Sequence, residues 1–301
     1  TVFTKEDTRQ EHIQRPFPYT DISHLHVHRP GVEKQLSQLN PSKASGPDEL
    51  PPKLLKLIAH EIAPSLAFLF QQSFNTGIVP NQWKHAFVTP IHKSGDKCNP
   101  SNYRPISLTC ICCKVMEHIV LSHISKHVSS NNILIDEQHG FRQKLSTTTQ
   151  LASTTYDWAH TLQMRGQTYV VFLDFRKAFD RAPHQRLSIK LQHYGITGDT
   201  LQWIMSLLTN RQQAVIVNGS QSTWRSVTSG VPQGSVIGPL LFLLYINDIN
   251  ANIQSKMRLF ADDSVIYRKI TSEDDHNVLQ EDLHTLADWS IKWLMGFNIQ
   301  K

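Results

Sequence analysis

An α+β fold is the expectation from this chain, and three observations carry it. Helix-period and strand-period segments follow in blocks (helices, hairpin, helices, strand, helices, hairpin, helix) instead of alternating one for one. Asn218-Gly219 sits between alternating apolar residues, a strong two-residue hairpin signal. A second hairpin pattern, RLFADDSVIYR at 258–268, could share a sheet with one long apolar strand, TYVVFLDF at 168–175.

Taken in chain order, 51–77 has leucines at helical spacing and reads as two short helices divided at Pro64, with Gly77 as the stop. Short β-like runs at 85–109, separated by Ser-Gly-Asp and Asn-Pro turn signals, suggest a basic hairpin platform. Residues 113–128 and 146–166 read as helices, the second ending at Gly166. The strand at 168–175 is apolar throughout with Asp174 near its far end, the pattern of a strand buried on both faces. Helices follow at 183–195, closed by Gly195, and at 199–210, capped by Asp199 or Thr200. The Asn218-Gly219 hairpin, a Gly/Pro-rich turn at 229–239 and an apolar helix at 240–248 come next. The Asp-Asp hairpin and a helix containing LADWSIKWLM then close the chain.

With 301 residues, 40% of them hydrophobic and 18% charged, the chain can bury a sizeable core as one large domain or two to three subdomains. No run of about 18 apolar residues occurs, so no spanning helix and no membrane partner are expected. The N-terminus lacks a signal pattern, and an intracellular location, nucleus or cytoplasm, is the expectation. The net charge of +5 is modest. Between Lys84 and Lys144, however, eight basic residues face four acidic ones, which suits a polyanion. Cys110, Cys112 and Cys113 are crowded together and Cys98 stands apart, poor spacing for disulfides or zinc and ordinary for helix packing. His24, His26 and His28 would share a face if extended. A solvated strand explains them as well as a metal does.

The chemistry lies in carboxylates. Asp262 and Asp263 are adjacent like charges in an apolar hairpin, tolerable only if a cation or hydrogen-bond donors compensate. Alternation along a strand forbids both from facing one ligand unless a turn lies between or beside them. If Asp174 pairs into the same sheet, three oxygen ligands converge. Mg²⁺ takes few carboxylates and completes its shell with substrate phosphates; two such ions serve in-line phosphoryl transfer, one activating the attacking hydroxyl and one steadying the pyrophosphate.

Phe-Ala-Asp-Asp at 260–263, VVFLDFRKAFD at 170–180, SGVPQGSVIGPLLFLLYINDI at 229–249 and NYRPISL at 102–108 together resemble the ordered motifs of a non-LTR (LINE-like) retrotransposon reverse transcriptase. The likeness runs from about residue 45 to the end. It implies a right-hand polymerase fold with an antiparallel palm sheet packed on helices. The expected division is an N-terminal helical extension over 1–80, fingers over 81–168 and palm over 169–301, the chain ending before a thumb.

The implied activity is RNA-directed DNA synthesis from a DNA primer on an RNA template with dNTPs, using two Mg²⁺ ions, for which Mn²⁺ substitutes. The resemblance carries Asp174, Asp262 and Asp263 over as metal ligands, with the Phe175 carbonyl as a further one. Gln233 and Gly234 fall in the motif lining the nucleotide and template-base pocket. Arg104 falls at a triphosphate contact, assisted by Lys93 or Lys97. Arg142 and Lys144 fall in a template-gripping segment. Phe179, five residues beyond Asp174, is the aromatic that excludes a 2′-hydroxyl, and Asp180 beside it reads as a helix N-cap. Lys301 matches the lysine that protonates departing pyrophosphate. Plainer roles exist for several: Arg104 pairing a surface acid, Gln233 as a turn residue, Phe179 in the core. No endonuclease or RNase H motif is seen, so a fragment of a longer element protein, or a domesticated or decaying copy, is the expectation; the rival reading is a remnant that binds nucleic acid without turnover.

Overall fold

The computed structural model describes residues 2–6 and 19–298. Its helices are α1 (Arg29–Ser37), α2 (Pro52–Leu57), α3 (Ala59–Thr76), α4 (Ile111–Ser130), α5 (Thr147–Gln163), α6 (Ala178–Arg181), α7 (His184–His193), α8 (Gly198–Leu208), α9 (Gly238–Ile246) and α10 (Glu273–Lys292). The strands are β1 (His85–His92), β2 (Tyr103–Thr109), β3 (Gln167–Asp174), β4 (Arg211–Val217), β5 (Ser220–Gln221), β6 (Arg225–Val227), β7 (Lys256–Phe260) and β8 (Asp263–Ile270). The chain is therefore a mixed α+β protein, as expected.

Two sheets organise it. The first runs β2-β1-β4-β5, with β6 also on β4; β1 and β2 form an antiparallel hairpin while β1 and β4 are parallel. Asn218 and Gly219, both at positive φ, turn β4 into β5 with Val217 opposite Ser220, the two-residue hairpin expected. The second sheet is antiparallel, in the order β3-β8-β7.

Helix ends follow local chemistry. Gly77 closes α3 in a left-handed conformation, and capping boxes start α5 (Ser146 with Thr149) and α10 (Ser272 with Asp275). Three expected boundaries shift. The break between α2 and α3 falls at Ile58, and Pro64 lies inside α3. Ala63, Leu66, Ala67, Phe70 and Phe74 bury along that helix, and such tertiary packing outweighs a proline cost of about 3 kcal/mol. α5 ends at Gln163, short of Gly166. α8 begins at Gly198 with Thr197 as its N-cap, so Asp199 sits in the first turn, where the helix dipole favours it, and not at the cap.

The core gathers one face of β3-β8-β7 with α4, α7, α8 and α9; Leu259, Ile266, Trp203, Phe242 and Tyr245 are fully enclosed, and Val171 and Leu173 pack against it. Among the described residues nothing covers the opposite face of β3 at its Asp174 end. Phe172 is 76% exposed, which corrects the expectation of a strand buried on both faces. A continuous apolar run reports apolarity and not how many faces are covered. Further along, α5 does cover this face: Asp157 receives hydrogen bonds from Lys256, Arg258 and Tyr267.

Candidate active site

Register decides the carboxylates. Asp174, the last residue of β3, is the direct cross-strand partner of Asp263, the first of β8; both therefore lie on one face of the sheet. That face is the one bearing exposed Phe172. Asp263 is exposed, while Asp174 and Asp262 are half-buried. Asp262 occupies the β7–β8 turn with Ala261, and Phe260 faces Asp263 across it.

Behind Asp174, residues 296–298 run alongside the end of β3. The Asn298 N–H donates to the Asp174 carbonyl at 2.7 Å, and the Asn298 side-chain amide donates to the Asp174 carboxylate at 3.1 Å. The ring of Phe175 is buried and stacks on Phe297 at 5.0 Å, which leaves its backbone as the part at the strand end. Lys301 lies outside the described residues.

Hard oxygen donors paired in register suit a divalent cation, and like charges directly opposite are otherwise unfavourable. The donor chemistry therefore fits Mg²⁺ or Mn²⁺. The structure assembles two of the three carboxylates: among the described residues no group of three or more His, Cys, Asp or Glu side chains is gathered as a metal site. Convergence of all three was the expectation. Successive residues at the start of a strand diverge, which separates Asp262 in the turn from the Asp174–Asp263 pair.

A cavity of about 490 Å³ lies on the other sheet, floored by β1, β2 and β4, and the segment that follows β3 reaches it at Lys177. Phe179, Asp180 and Lys177 form one wall, Gly230 to Gln233 another, and Tyr103, Pro105 and Ser107 of β2 a third. The 229–234 loop is sewn to both neighbours. The Val231 N–H donates to Phe179 O at 2.7 Å and the Ser229 hydroxyl to Asp180 O at 2.8 Å, while the Ser107 N–H donates to Gln233 O at 2.7 Å. Gly234, at φ 110°, is so close to β2 that a Cβ would stand 2.5 Å from Ser107 O. The structure thus brings Gln233 together with Phe179 in one cavity, while Gly234 packs against Ser107 of β2.

Phe179 itself is half-buried, stacked on Phe242 at 4.7 Å and edge-on to exposed Phe141 at 6.2 Å. Asp180 is no N-cap: Lys177, at φ 54°, takes that position and Asp180 lies inside α6. Burial raises its carboxyl above the usual range, partly offset by Lys177 and by a hydrogen bond from the Gln233 side chain. The one-residue misplacement arises because a left-handed residue, not an Asp or Ser cap, opens this single turn.

The basic residues divide. Lys97 lines the cavity, whereas alternation along β2 sends exposed Arg104 to the face opposite Tyr103 and Pro105. Lys93 is exposed just beyond β1. Arg142 is turned into its own loop, donating to Ile135 O at 2.6 Å and Gln138 O at 3.3 Å. Lys144 is exposed, at φ 64°.

Sequence reasoning missed two buried residues that hold this site. Glu117 of α4, 1% exposed, accepts from the N–H groups of Val236 at 2.6 Å and Ile237 at 3.1 Å, so it anchors the far end of the Gln233–Gly234 loop at the start of α9. Burial raises its carboxyl, and those two N–H groups and Arg211 oppose the shift. The signal was available: a lone acid within the apolar stretch of a helix needs a partner. Gln138, 2% exposed, reaches the Asp-Asp turn.

Residues 91–301 match the family described as reverse transcriptase (RNA-dependent DNA polymerase). The chain belongs to that family. The relatives of this reverse transcriptase domain include the probable RNA-directed DNA polymerase from transposon X-element of Drosophila melanogaster, 30% identical over 98% of this chain. The probable RNA-directed DNA polymerase from transposon BS of the same species is 31% identical over 90% of it, and the RNA-directed DNA polymerase from mobile element jockey is 27% identical over 97%. Each places the domain with LINE-like, non-LTR reverse transcriptases. The chain spans about a third of the length of these relatives: 33%, 31% and 33%. No helix among the described residues is long and apolar enough to cross a membrane. The histidines sort separately: His24 meets Asp199 at 3.2 Å and His26 packs edge-on to His28.

Proposed function

We propose that this domain extends a DNA primer on an RNA template with dNTPs, holding divalent cations between Asp174, Asp262 and Asp263. The observation that carries the reading is the cross-strand pairing of Asp174 with Asp263 on a sheet face left open beside them. Bound there, Mg²⁺ or Mn²⁺ supplies a lowered pKa for the primer 3′-hydroxyl and neutralises charge on the departing pyrophosphate. The chain's own residues supply position. Asn298 orients Asp174; Gln233, held on β2 and bonded through its side chain to Asp180, lines the cavity that receives the base and sugar; Phe179, backed by Phe242, blocks a 2′-hydroxyl.

In this reading β3-β8-β7 with α7, α9 and α10 is the palm, and the β1-β2 hairpin with α4 belongs to the fingers. Residues ahead of about 80 form an N-terminal extension. Arg104 and Lys93, exposed on the hairpin, reach the triphosphate only from the side of β2 away from the cavity, so their part is phosphate steering and not pocket lining. Lys144 meets template phosphates, and Arg142 shapes the loop that carries it.

Primer extension on RNA with dNTPs tests this. The wild-type domain makes metal-dependent product, and Asp262→Asn abolishes it while primer-template binding persists. Absence of metal-dependent product from the wild type, also with a polymerase thumb joined to its C-terminus, overturns the reading and leaves a nucleic-acid-binding module.

A further inference from the structure

The turn that carries Asp262 and Asp263 is not held by the hairpin alone. β7 passes into β8 through Ala261 and Asp262, and Ala261 sits at φ 55°, the left-handed region that costs a residue with a Cβ about 1–2 kcal/mol. Glycine is the residue such a turn position favours, and this chain has alanine. Some other contact must fix the backbone there.

That contact comes from a segment more than a hundred residues upstream. Residues 137–139 run beside β7: the Leu259 N–H donates to Glu137 O at 2.9 Å and the His139 N–H to Leu259 O at 2.8 Å. This places the Gln138 side chain under the turn. Its Oε1 accepts from the Ala261 N–H at 2.8 Å, and its Nε2 donates to Ala261 O at 3.2 Å. One primary amide thus engages both polar groups of the strained residue. The same Oε1 also accepts from the Gly140 N–H at 2.7 Å, which fixes the amide's orientation. Gly140 is packed so closely that a Cβ on it would collide with the Ala261 nitrogen. The whole clamp is buried: Gln138 is 2% and Ala261 6% exposed.

Only a side chain with an acceptor and a donor on one carbon, at this length, satisfies both groups; glutamate lacks the donor, and its charge would face Asp262 and Asp263. We propose that Gln138 is a positioning residue of the metal-binding turn, holding Ala261 so that Asp262 and Asp263 are presented to the catalytic cations beside Asp174. The inference rests on the polymerase reading above. Outer contacts of this kind matter because a metal ligand misplaced by tenths of an ångström loses affinity, and removing them typically costs about 10–100-fold in metal affinity or activity.

The experiment compares wild type, Gln138→Ala, Ala261→Gly and the double variant. Four quantities are read: amide exchange at Ala261, Mn²⁺ affinity of the primer-template complex by electron paramagnetic resonance, kcat and KM for dNTP, and the thermal midpoint. In Gln138→Ala the Ala261 amide exchanges faster, Mn²⁺ binds about tenfold more weakly and kcat falls about 10–100-fold, while KM for dNTP and primer-template affinity stay within about twofold. Glycine at 261 adopts the left-handed conformation without strain, so the Gln138→Ala loss is smaller in that background.

Gln138→Ala with an exposed Ala261 amide but unchanged Mn²⁺ affinity and kcat overturns the proposal. So does a loss that follows only the thermal midpoint and is identical in both backgrounds. Should Gln138→Ala not fold, Gly140→Ala displaces the same turn from the other side and is judged by the same Mn²⁺ criterion. A wild-type protein that neither binds Mn²⁺ nor extends primers defeats the polymerase reading instead.

Discussion

Neutralising Asp263 should stabilise the metal-free protein while destroying its activity. Directly opposed residues in an antiparallel pair have Cβ atoms about 4.5–5.5 Å apart, so the Asp174 and Asp263 carboxylates are near neighbours on the open face. Two unit charges about 5 Å apart repel by ~0.8 kcal/mol in a water-like medium and ~3 kcal/mol at an effective dielectric near 20. Asp263 is exposed and Asp174 accepts a hydrogen bond from Asn298, so the lower end applies, about 1 kcal/mol. Asp263→Asn removes that repulsion.

In EDTA at low salt its thermal midpoint should therefore rise by about 2–4 °C, and the gain should shrink as salt screens the pair. Added Mg²⁺ reverses the order. A wild-type protein with metal at ten times Kd gains roughly 1.4 kcal/mol, and the variant, lacking a ligand, gains little. The two melting curves thus exchange places between EDTA and Mg²⁺, and primer extension by Asp263→Asn is absent. A variant no more stable than wild type in EDTA, or equally stabilised by Mg²⁺, would refute the claim that this pairing exists to hold a cation.

Three further outcomes follow from the surrounding contacts. Phe179→Val should raise incorporation of ribonucleotides relative to deoxynucleotides and lower the thermal midpoint by the loss of stacking on Phe242, a pair worth about 0.5–1.5 kcal/mol beyond its buried area; competition between dNTP and rNTP in single-nucleotide extension measures the first effect, and unchanged discrimination refutes the gate. Glu117→Ala leaves the N–H groups of Val236 and Ile237 without their acceptor, at about 1–3 kcal/mol each, and should raise KM for dNTP more than it lowers kcat; Glu117→Gln, which keeps one acceptor oxygen, should lose less in the same steady-state assay. Lys190 is fully buried, ion-paired to Asp248 and boxed by the rings of Trp293, Trp289 and Tyr245; burial lowers its ammonium to about 8 from 10.5, although Asp248 pulls the other way. The unfolded chain then binds more protons than the folded one between about pH 8 and 10.5. Stability should rise with pH across that window, and Lys190→Met should flatten the rise in urea titrations.

How much of this was legible in the sequence depended on distance along the chain. The Asn218-Gly219 hairpin, the Gly77 stop and the Asp-Asp turn were readable because their determinants are contiguous. Asp174 was readable because an acid closing an apolar strand is anomalous wherever it occurs. Pairing Asp174 with Asp263 needed register, and register depends on which face the core takes. The apolar run at 168–175 was silent on that, so exposed Phe172 came as a correction. Arg104 shows the same limit. Its motif does not say which face of β2 it takes, and a single step of alternation puts it opposite Tyr103 and Pro105, which line the cavity.

The residues that escaped altogether, Gln138, Glu117 and Asn298, share one property: each acts on a backbone group or carboxylate more than a hundred positions away. This is where a strained site would be expected to put its supports. A turn with alanine in a glycine conformation and aspartates paired across strands works against its own local stability, so local sequence preference cannot be what holds it. The compensation has to arrive from elements whose own stability is secured elsewhere: Gln138 from a segment hydrogen-bonded along β7, Asn298 from the segment just after α10, and Glu117 from the interior of α4. Those elements can be perturbed without unfolding them, and each support should fail separately. Loss of Gln138 should weaken metal affinity, whereas loss of Glu117 should weaken nucleotide affinity, because the two clamp different loops. If both variants instead gave one common loss of stability with unchanged ratios of kcat to KM, the site would be an undivided part of the core and not a strained turn and a loop held by separate clamps.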